Sequence, residues 1–382
     1  MKKVKKLLLI TDFFRPEPGG LEGFFTGIAR RWPKDHCEVI ISSKEKNYLT
    51  SPDIRRRFDE NEKYPIKRIS GEIHPSIFSS QRSVFRNLLQ NRLQEFKPTH
   101  IIFGQITRET SGAFKDIKDL NIDFSLLLNG SDIKNRLGII NRLFLMKKFR
   151  YIFVPSRHLG RAARNAGIPD EKIIYLPPGM EMRIGFNKKT ELPAELLRRT
   201  KNKKLVIGAG SLLPRKGYDL AITMLKRHPD LQNKIHLLLC GSGPEFHYLQ
   251  EKIRLLDMEK HVTLTGFIRD EHFAACMRLA DLYIQPGCER DDDIGGPEIA
   301  IMEAAQFGLP ALVGDVGGQS EVVKDGVSGF VLKPGDIDDL ADKIRECINS
   351  DSLRNKLGRN AKILARKEFG IGGACRTIYK MI

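Results

Sequence analysis

Arg215 and Lys216 stand side by side in Gly208-Ala-Gly-Ser-Leu-Leu-Pro-Arg-Lys-Gly217, a glycine-bounded turn between an apolar run and an amphipathic one. Exposed cations at a helix start oppose the helix dipole, whereas a bound phosphate would make the same placement favourable. Two further turns, Thr11-Asp-Phe-Phe-Arg-Pro-Glu-Pro-Gly19-Gly20 and Cys240-Gly241-Ser-Gly-Pro244, also follow apolar runs. Glycines there let a backbone approach a ligand where a β-carbon would block it. Each turn alone reads equally well as an ordinary β–α loop; the three together point to an anionic ligand. Glu298 and Glu303, in Gly295-Gly-Pro-Glu-Ile-Ala-Ile-Met-Glu-Ala-Ala305, are five apart and do not share a helix face. Glu298 suits an opening turn, downstream of a loop with Asp291-Asp-Asp293. Glu303 reads either as a surface residue or, within its apolar run, as a carboxylate needing a donor, which a sugar hydroxyl would supply.

These turns need a scaffold, and the chain repeats one: a short β-branched run, a Gly or Pro turn, then an amphipathic stretch. Candidate strands in the first half are Lys6–Thr11, Glu38–Ser42, His100–Gly104, Phe124–Leu128, Tyr151–Val154 and Lys172–Leu176. In the second half they are Leu205–Gly208, Ile235–Cys240, Val262–Thr265, Leu282–Gln285, Pro310–Val313 and Gly329–Leu332. Strands alternating with helices imply βαβ units and parallel sheets, an α/β class with ligands beyond the carboxyl ends of the strands. Two such sets predict two Rossmann-like domains, 1–180 and 203–359, joined by a polar linker over 181–202 after Pro177-Pro178-Gly179.

A chain of 382 residues with 41% hydrophobic and 29% charged residues has room for two cores. The initial apolar run stops at Thr11-Asp12, too short for a signal peptide or a membrane span. The six cysteines, at 37, 240, 276, 288, 347 and 375, show no Cys-x-x-Cys spacing. They fit a reducing cytoplasm, and small buried hydrophobes are a better reading of Cys276 and Cys288 than a metal site. Residues 1–180 hold 33 Lys and Arg against 19 Asp and Glu, which places +14 of the +17 net charge in the first half. That asymmetry points to an anionic partner of the first domain.

The ordered set of segments resembles glycosyltransferase family 4, over nearly the whole chain and most densely from 151 to 335. The matching pieces are Pro16-x-x-Gly19-Gly20, Val154-Pro-Ser156 with Gly167-Ile, the strand Ile173–Pro178 and Arg215-Lys216-Gly217. Gly241-x-Gly-Pro244, Thr265-Gly266-Phe267, Met302-Glu303-Ala-Ala with Gly308-Leu-Pro310, and Gly317-Gly318 with Glu321-Val-Val-x-Asp-Gly326 and Gly329 complete it. The resemblance implies a GT-B fold with a ligand cleft between two Rossmann-like domains, the segment Asn360–Ile382 crossing back onto the first. It also implies a retaining transfer from a UDP- or GDP-linked sugar, without a metal or other cofactor. Lys216 would neutralise the departing diphosphate, helped by Arg215 or by the amides at Gly19 and Gly20. The backbone at Phe267 and Ile268 would hold the base and Glu303 the ribose, and Gly241 would also belong to the donor site. Amides around Glu298, Ile299 and Ala300 would face the sugar and phosphates.

Three positions depart from the family pattern. Ser211 stands where Arg is frequent, Gly295 where the first of two paired glutamates falls, with Glu298 at a usual glycine. Asn129-Gly130 replaces His-Gly, so Asn129 would occupy a catalytic place with a group that cannot titrate near neutrality. The resemblance therefore carries an expectation of an active, hexosyltransferase-type enzyme. The alternatives are a glycogen-synthase-like or phosphorylase-like protein and a catalytically weak sugar-nucleotide-binding subunit acting with a partner.

The basic first half adds Arg55-Arg56-Arg57 and the amphipathic segments Gln81–Phe96 and Asn141–Arg150, the latter with Lys147 and Lys148. Taken singly, each segment reads as a packed helix with solvated charges. Taken together they favour a lipid-linked or anionic glycan acceptor and peripheral attachment to a cytoplasmic membrane face. No nucleic-acid-binding module is recognisable.

Overall fold

The computed structural model describes residues 5–42, 50–69, 80–106, 117, 120, 122–134, 146–180, 190–288 and 295–382. The loop Asp291–Asp293, positions 141–145 of the second basic segment and positions 181–189 of the expected linker lie outside them. The chain divides into two compact units, Met1–Glu181 with Gly370–Ile382, and Met182–Phe369.

The first unit is a seven-stranded sheet of β1 (Leu7–Thr11), β2 (Cys37–Ile41), β3 (Ile66–Arg68), β4 (His100–Phe103), β5 (Asp123–Leu127), β6 (Tyr151–Val154) and β7 (Ile173–Tyr175). Its order is β3-β2-β1-β4-β5-β6-β7, and every pairing is parallel. The central strands are buried on both faces, which is why they read as continuous apolar runs. β3 escapes sequence reading: three residues long, two of them the charged Lys67 and Arg68, it lies on the edge where one flank needs no apolar cover.

The helix Gly20–Arg31 buries Phe24, Phe25, Ile28 and Ala29 on this sheet. The C-terminal helix Ile371–Met381 adds Ile371, Ala374, Cys375 and Ile378 to the same core. Each of these two isoleucines contributes about 1.5–3 kcal/mol when fully buried. Residues Asn360 to Glu368, expected to travel with that helix, instead finish the helix Asp351–Glu368 of the second unit, where Leu364 and Ala365 are buried.

The second unit holds β8 (Lys204–Ala209), β9 (Ile235–Cys240), β10 (Val262–Leu264), β11 (Leu282–Gln285), β12 (Ala311–Gly314) and β13 (Gly329–Leu332). Their order, β10-β9-β8-β11-β12-β13, is again all parallel. Both sheets thus start from a central strand, run outward to one edge, then return to fill the other side. The places where this direction reverses lie at the carboxyl ends of β1 and β8.

Candidate functional site

At the end of β8 the backbone makes a short 3-10 turn, Pro214–Lys216, before the helix Tyr218–Arg227. The turn is pinned by the β11 end: Gly287 N–H donates to the Lys216 carbonyl and Cys288 N–H to that of Arg215, each at 3.0 Å. Gly217 has φ +68°, and a Cβ there would stand 3.0 Å from Gly287 N. Gly210 has φ +107°, and its missing Cβ leaves the space taken by Lys216 Nζ, 2.7 Å from where that carbon would be. Only glycine meets both demands.

Lys216 is 2% exposed. The exposed cation expected from the sequence is therefore corrected to a buried one, and its counter-charge is already present. Glu298 Oε2 lies 3.1 Å from Lys216 Nζ, and Glu298 Oε1 accepts from Arg215 Nη1. Burial alone would push the Glu298 carboxyl up; Lys216 and Arg215 outweigh it and hold it below the usual carboxylate range. Glu298 occupies the N-cap of the helix Ile299–Phe307, yet its side chain makes no capping hydrogen bond. Ile299 opens that helix and Ala300 lies near Gly210, 3.8 Å from where the missing Cβ would be. Glu303 is 6% exposed, which excludes the surface reading.

Beneath the cations runs a polar ladder that sequence reasoning missed. The Ala209 carbonyl receives Tyr218 OH at 2.8 Å and has Tyr283 OH at 3.1 Å and Lys216 Nζ at 3.5 Å. Tyr283 OH also donates to Gln285 Oε1 at 3.2 Å; Gln285 Nε2 donates to Gln319 Oε1, and Gln319 Nε2 to the Gly314 carbonyl. Tyr218, Tyr283, Gln285 and Gln319 are all 2% exposed or less. A polar residue closing an apolar strand, as Gln285 does, was the available signal.

Gly241 N–H donates to the Gly266 carbonyl at 2.9 Å, so the β9 and β10 ends meet. Phe267 beside them is 53% exposed. Ile268 instead lines a cavity of about 1030 Å³ at the β10 edge, with Leu196, His272 and Cys276. Ser211 is exposed. Among the described residues no group of three His, Cys, Asp or Glu could hold a metal ion.

In the first unit, Gly19 caps the helix that Gly20 begins. Asp12 accepts from Ser42 Oγ and Gln105 Nε2 beyond the β1 end. Asn129 Nδ2 donates to the Gly104 carbonyl at 2.9 Å, and Asp132 accepts from the Asn129 and Ile106 amides. The Asn129 amide is thus bound into the loop. Arg55 corrects the expected basic cluster: it is 6% exposed, donates to the Thr50 carbonyl and lies 3.9 Å from Glu17. Arg56 pairs with Asp53 at 2.6 Å, while Arg57, Lys147 and Lys148 are exposed. The helix Ser80–Glu95 buries Phe85 and Leu89, one turn apart. Among the described residues no helix is long and apolar enough to cross a membrane.

Two sheets of this order with glycine-rich strand ends define the GT-B class. The solved Anabaena Alr3699/HepE, in complex with UDP and glucose, superposes with a TM-score of 0.75 at 19% identity, covering 98% of each chain. The sucrose-phosphate synthase of Thermosynechococcus elongatus gives 0.74 at 14% identity over 99% of this chain and 98% of that one. Both likenesses speak for the fold. The profile of the family "Glycosyl transferases group 1" matches residues 189–364. A GDP-mannose-dependent alpha-(1-6)-phosphatidylinositol monomannoside mannosyltransferase of Mycobacterium tuberculosis is 30% identical over 365 residues, covering 90% of this chain and 89% of that protein. The chain belongs to this glycosyltransferase family, as the sequence resemblance implied, and is a glycosyltransferase.

Proposed function

We propose that the chain moves a sugar from a nucleoside diphosphate donor, UDP- or GDP-linked, to a lipid-linked or anionic glycan acceptor with retention of anomeric configuration. The observation that carries this reading is the pair Arg215 and Lys216, fixed at the carboxyl end of β8 with glycine backbone around them. As the anomeric C–O bond breaks, negative charge grows on the departing diphosphate. Two preorganised cations in a low-dielectric place lower that barrier without rearranging. The acceptor hydroxyl would then form the new bond on the same face of the sugar and pass its proton to an oxygen of the departing diphosphate.

Anabaena Alr3699/HepE was solved with UDP and the mycobacterial relative uses GDP-mannose, which supports a nucleotide-sugar donor without choosing the base. That relative acts on a phosphatidylinositol mannoside, which supports a glycolipid acceptor here, as does the basic first half. In this reading Glu303 serves the ribose and the Phe267–Ile268 backbone the base. Turnover would need no metal or further cofactor, and the protein would work in the cytoplasm against a membrane face.

Thermal-shift titrations with UDP, GDP and their sugar conjugates, run beside Lys216→Ala, test it. A ligand of the folded state raises the melting temperature. The expected result is a selective shift absent from the variant, with turnover reduced at least about 100-fold. Equal shifts and rates in both proteins would remove Lys216 from the reaction.

A further inference from the structure

Glu298 works against an anionic ligand, and its position calls for an explanation. Arg215, Lys216 and Glu298 side chains are 15%, 3% and 13% exposed, so their charges compensate one another with little help from water. Each carboxylate oxygen meets a different cation, one on the Arg215 guanidinium and one 3.1 Å from Lys216 Nζ. Two non-bridging oxygens of a phosphate would make the same pair of contacts. Gly295 makes room for this: a Cβ there would lie 3.0 Å from Arg215 Nη1. The helix N-cap goes without a side-chain hydrogen bond while its carboxylate reaches the cations instead.

We propose that Glu298 is an internal counter-anion holding the phosphate place on Lys216 and Arg215, so that a diphosphate binds only by displacing its carboxylate. This rests on the donor reading above and adds to it a residue that sets donor and product affinity. Two buried cations left without an anion would be strongly destabilising. Exchanging one anion for another avoids that cost at both ends of the cycle. The released nucleoside diphosphate is then replaced by Glu298, which favours its departure.

The test is calorimetric titration of UDP and of GDP into the full chain, comparing wild type with Glu298→Gln, Glu298→Gly and Lys216→Ala, with melting curves for each. Removing the competing charge should tighten nucleotide binding about tenfold in both Glu298 variants. Without ligand these variants should melt lower than wild type, and the ligand-induced rise should be larger. The glycine variant reads the effect even where glutamine does not pack. Unchanged or weaker binding in both variants would overturn the proposal and make Glu298 a positioning residue for the cations. Wild-type binding that survives in Lys216→Ala, or no binding by any form, would instead overturn the donor reading and this inference with it.

Discussion

Beyond β5, Asn129 closes on the Gly104 carbonyl, and beyond β1 Asp12 gathers the Ser42 hydroxyl and the Gln105 amide. Beyond β8, the equivalent strand of the other sheet, two cations close on a carboxylate with almost no solvent. At the same topological place one unit relies mainly on hydrogen bonds, with a looser buried pair of Arg55 and the loop residue Glu17, and the other on two cations closed tightly on one carboxylate. Charge buried in the second unit must be balanced on the spot, because desolvation would otherwise exceed any attraction. The first unit's excess of cations lies largely outside its core, where ion pairs such as Arg150–Asp123 and Arg56–Asp53 contribute little.

The largest effect should come from disturbing the buried cation. In Gly210→Ala the new methyl must compete with Lys216 Nζ at a φ of +107°. Nucleotide binding should fall at least about 100-fold, and the strain should cost about 1–3 kcal/mol. Isothermal titration and denaturant melts measure both; an alanine variant that binds normally would break the contrast between the units.

A feature common to both units gives the next effect. His100 on β4 bonds Ser125 on β5 at 2.9 Å, and His236 on β9 bonds Thr263 on β10 at 2.8 Å. Burial pushes each imidazole down from 6.5 to about 4. Below pH 6.5 the unfolded chain therefore binds a proton that the folded chain refuses. Stability is whole above that pH and declines as pH falls through about 4, by at most about 3 kcal/mol for each histidine. Melts from pH 7 to 4 should show the decline, and His100→Gln should flatten the first unit's share. A decline identical in wild type and variant would rule out His100 as its source.

The smallest effect concerns the surface. Lys147→Gln with Lys148→Gln should weaken sedimentation with anionic vesicles by about 1 kcal/mol per charge. Arg55→Gln should leave vesicle binding alone and lower the melting temperature, because Arg55 sits against Glu17 and the Thr50 carbonyl. The opposite pattern would return Arg55 to the membrane-facing set.

Much of the scaffold was legible because buried parallel strands leave a plain signature. Tyr151–Val154, Ile235–Cys240, Leu282–Gln285 and Gly329–Leu332 are β-branched or apolar runs between turn residues, and the strands have those limits. Ile66–Arg68 was illegible, since an edge strand with two charged residues looks like a loop. Arg55 misled for a related reason: three adjacent arginines look alike in sequence, but on a helix successive residues point about 100° apart, and one of them turned inward.

The sequence by itself determined the α/β class, the glycine-rich turns and the residue types able to meet a phosphate, because periodicity and backbone freedom are local properties. Only the tertiary structure decided that Glu298 lies on Arg215 and Lys216, that Glu303 is buried, and that four polar side chains brace the Ala209 and Gly314 carbonyls. The contacts of Glu298 with Arg215 and Lys216, of Tyr283 with Ala209 and of Gln285 with Gln319 join residues distant in the chain. What a charge or amide costs or contributes there depends on burial and on the partner brought to it, and neither quantity exists until the sheet has formed.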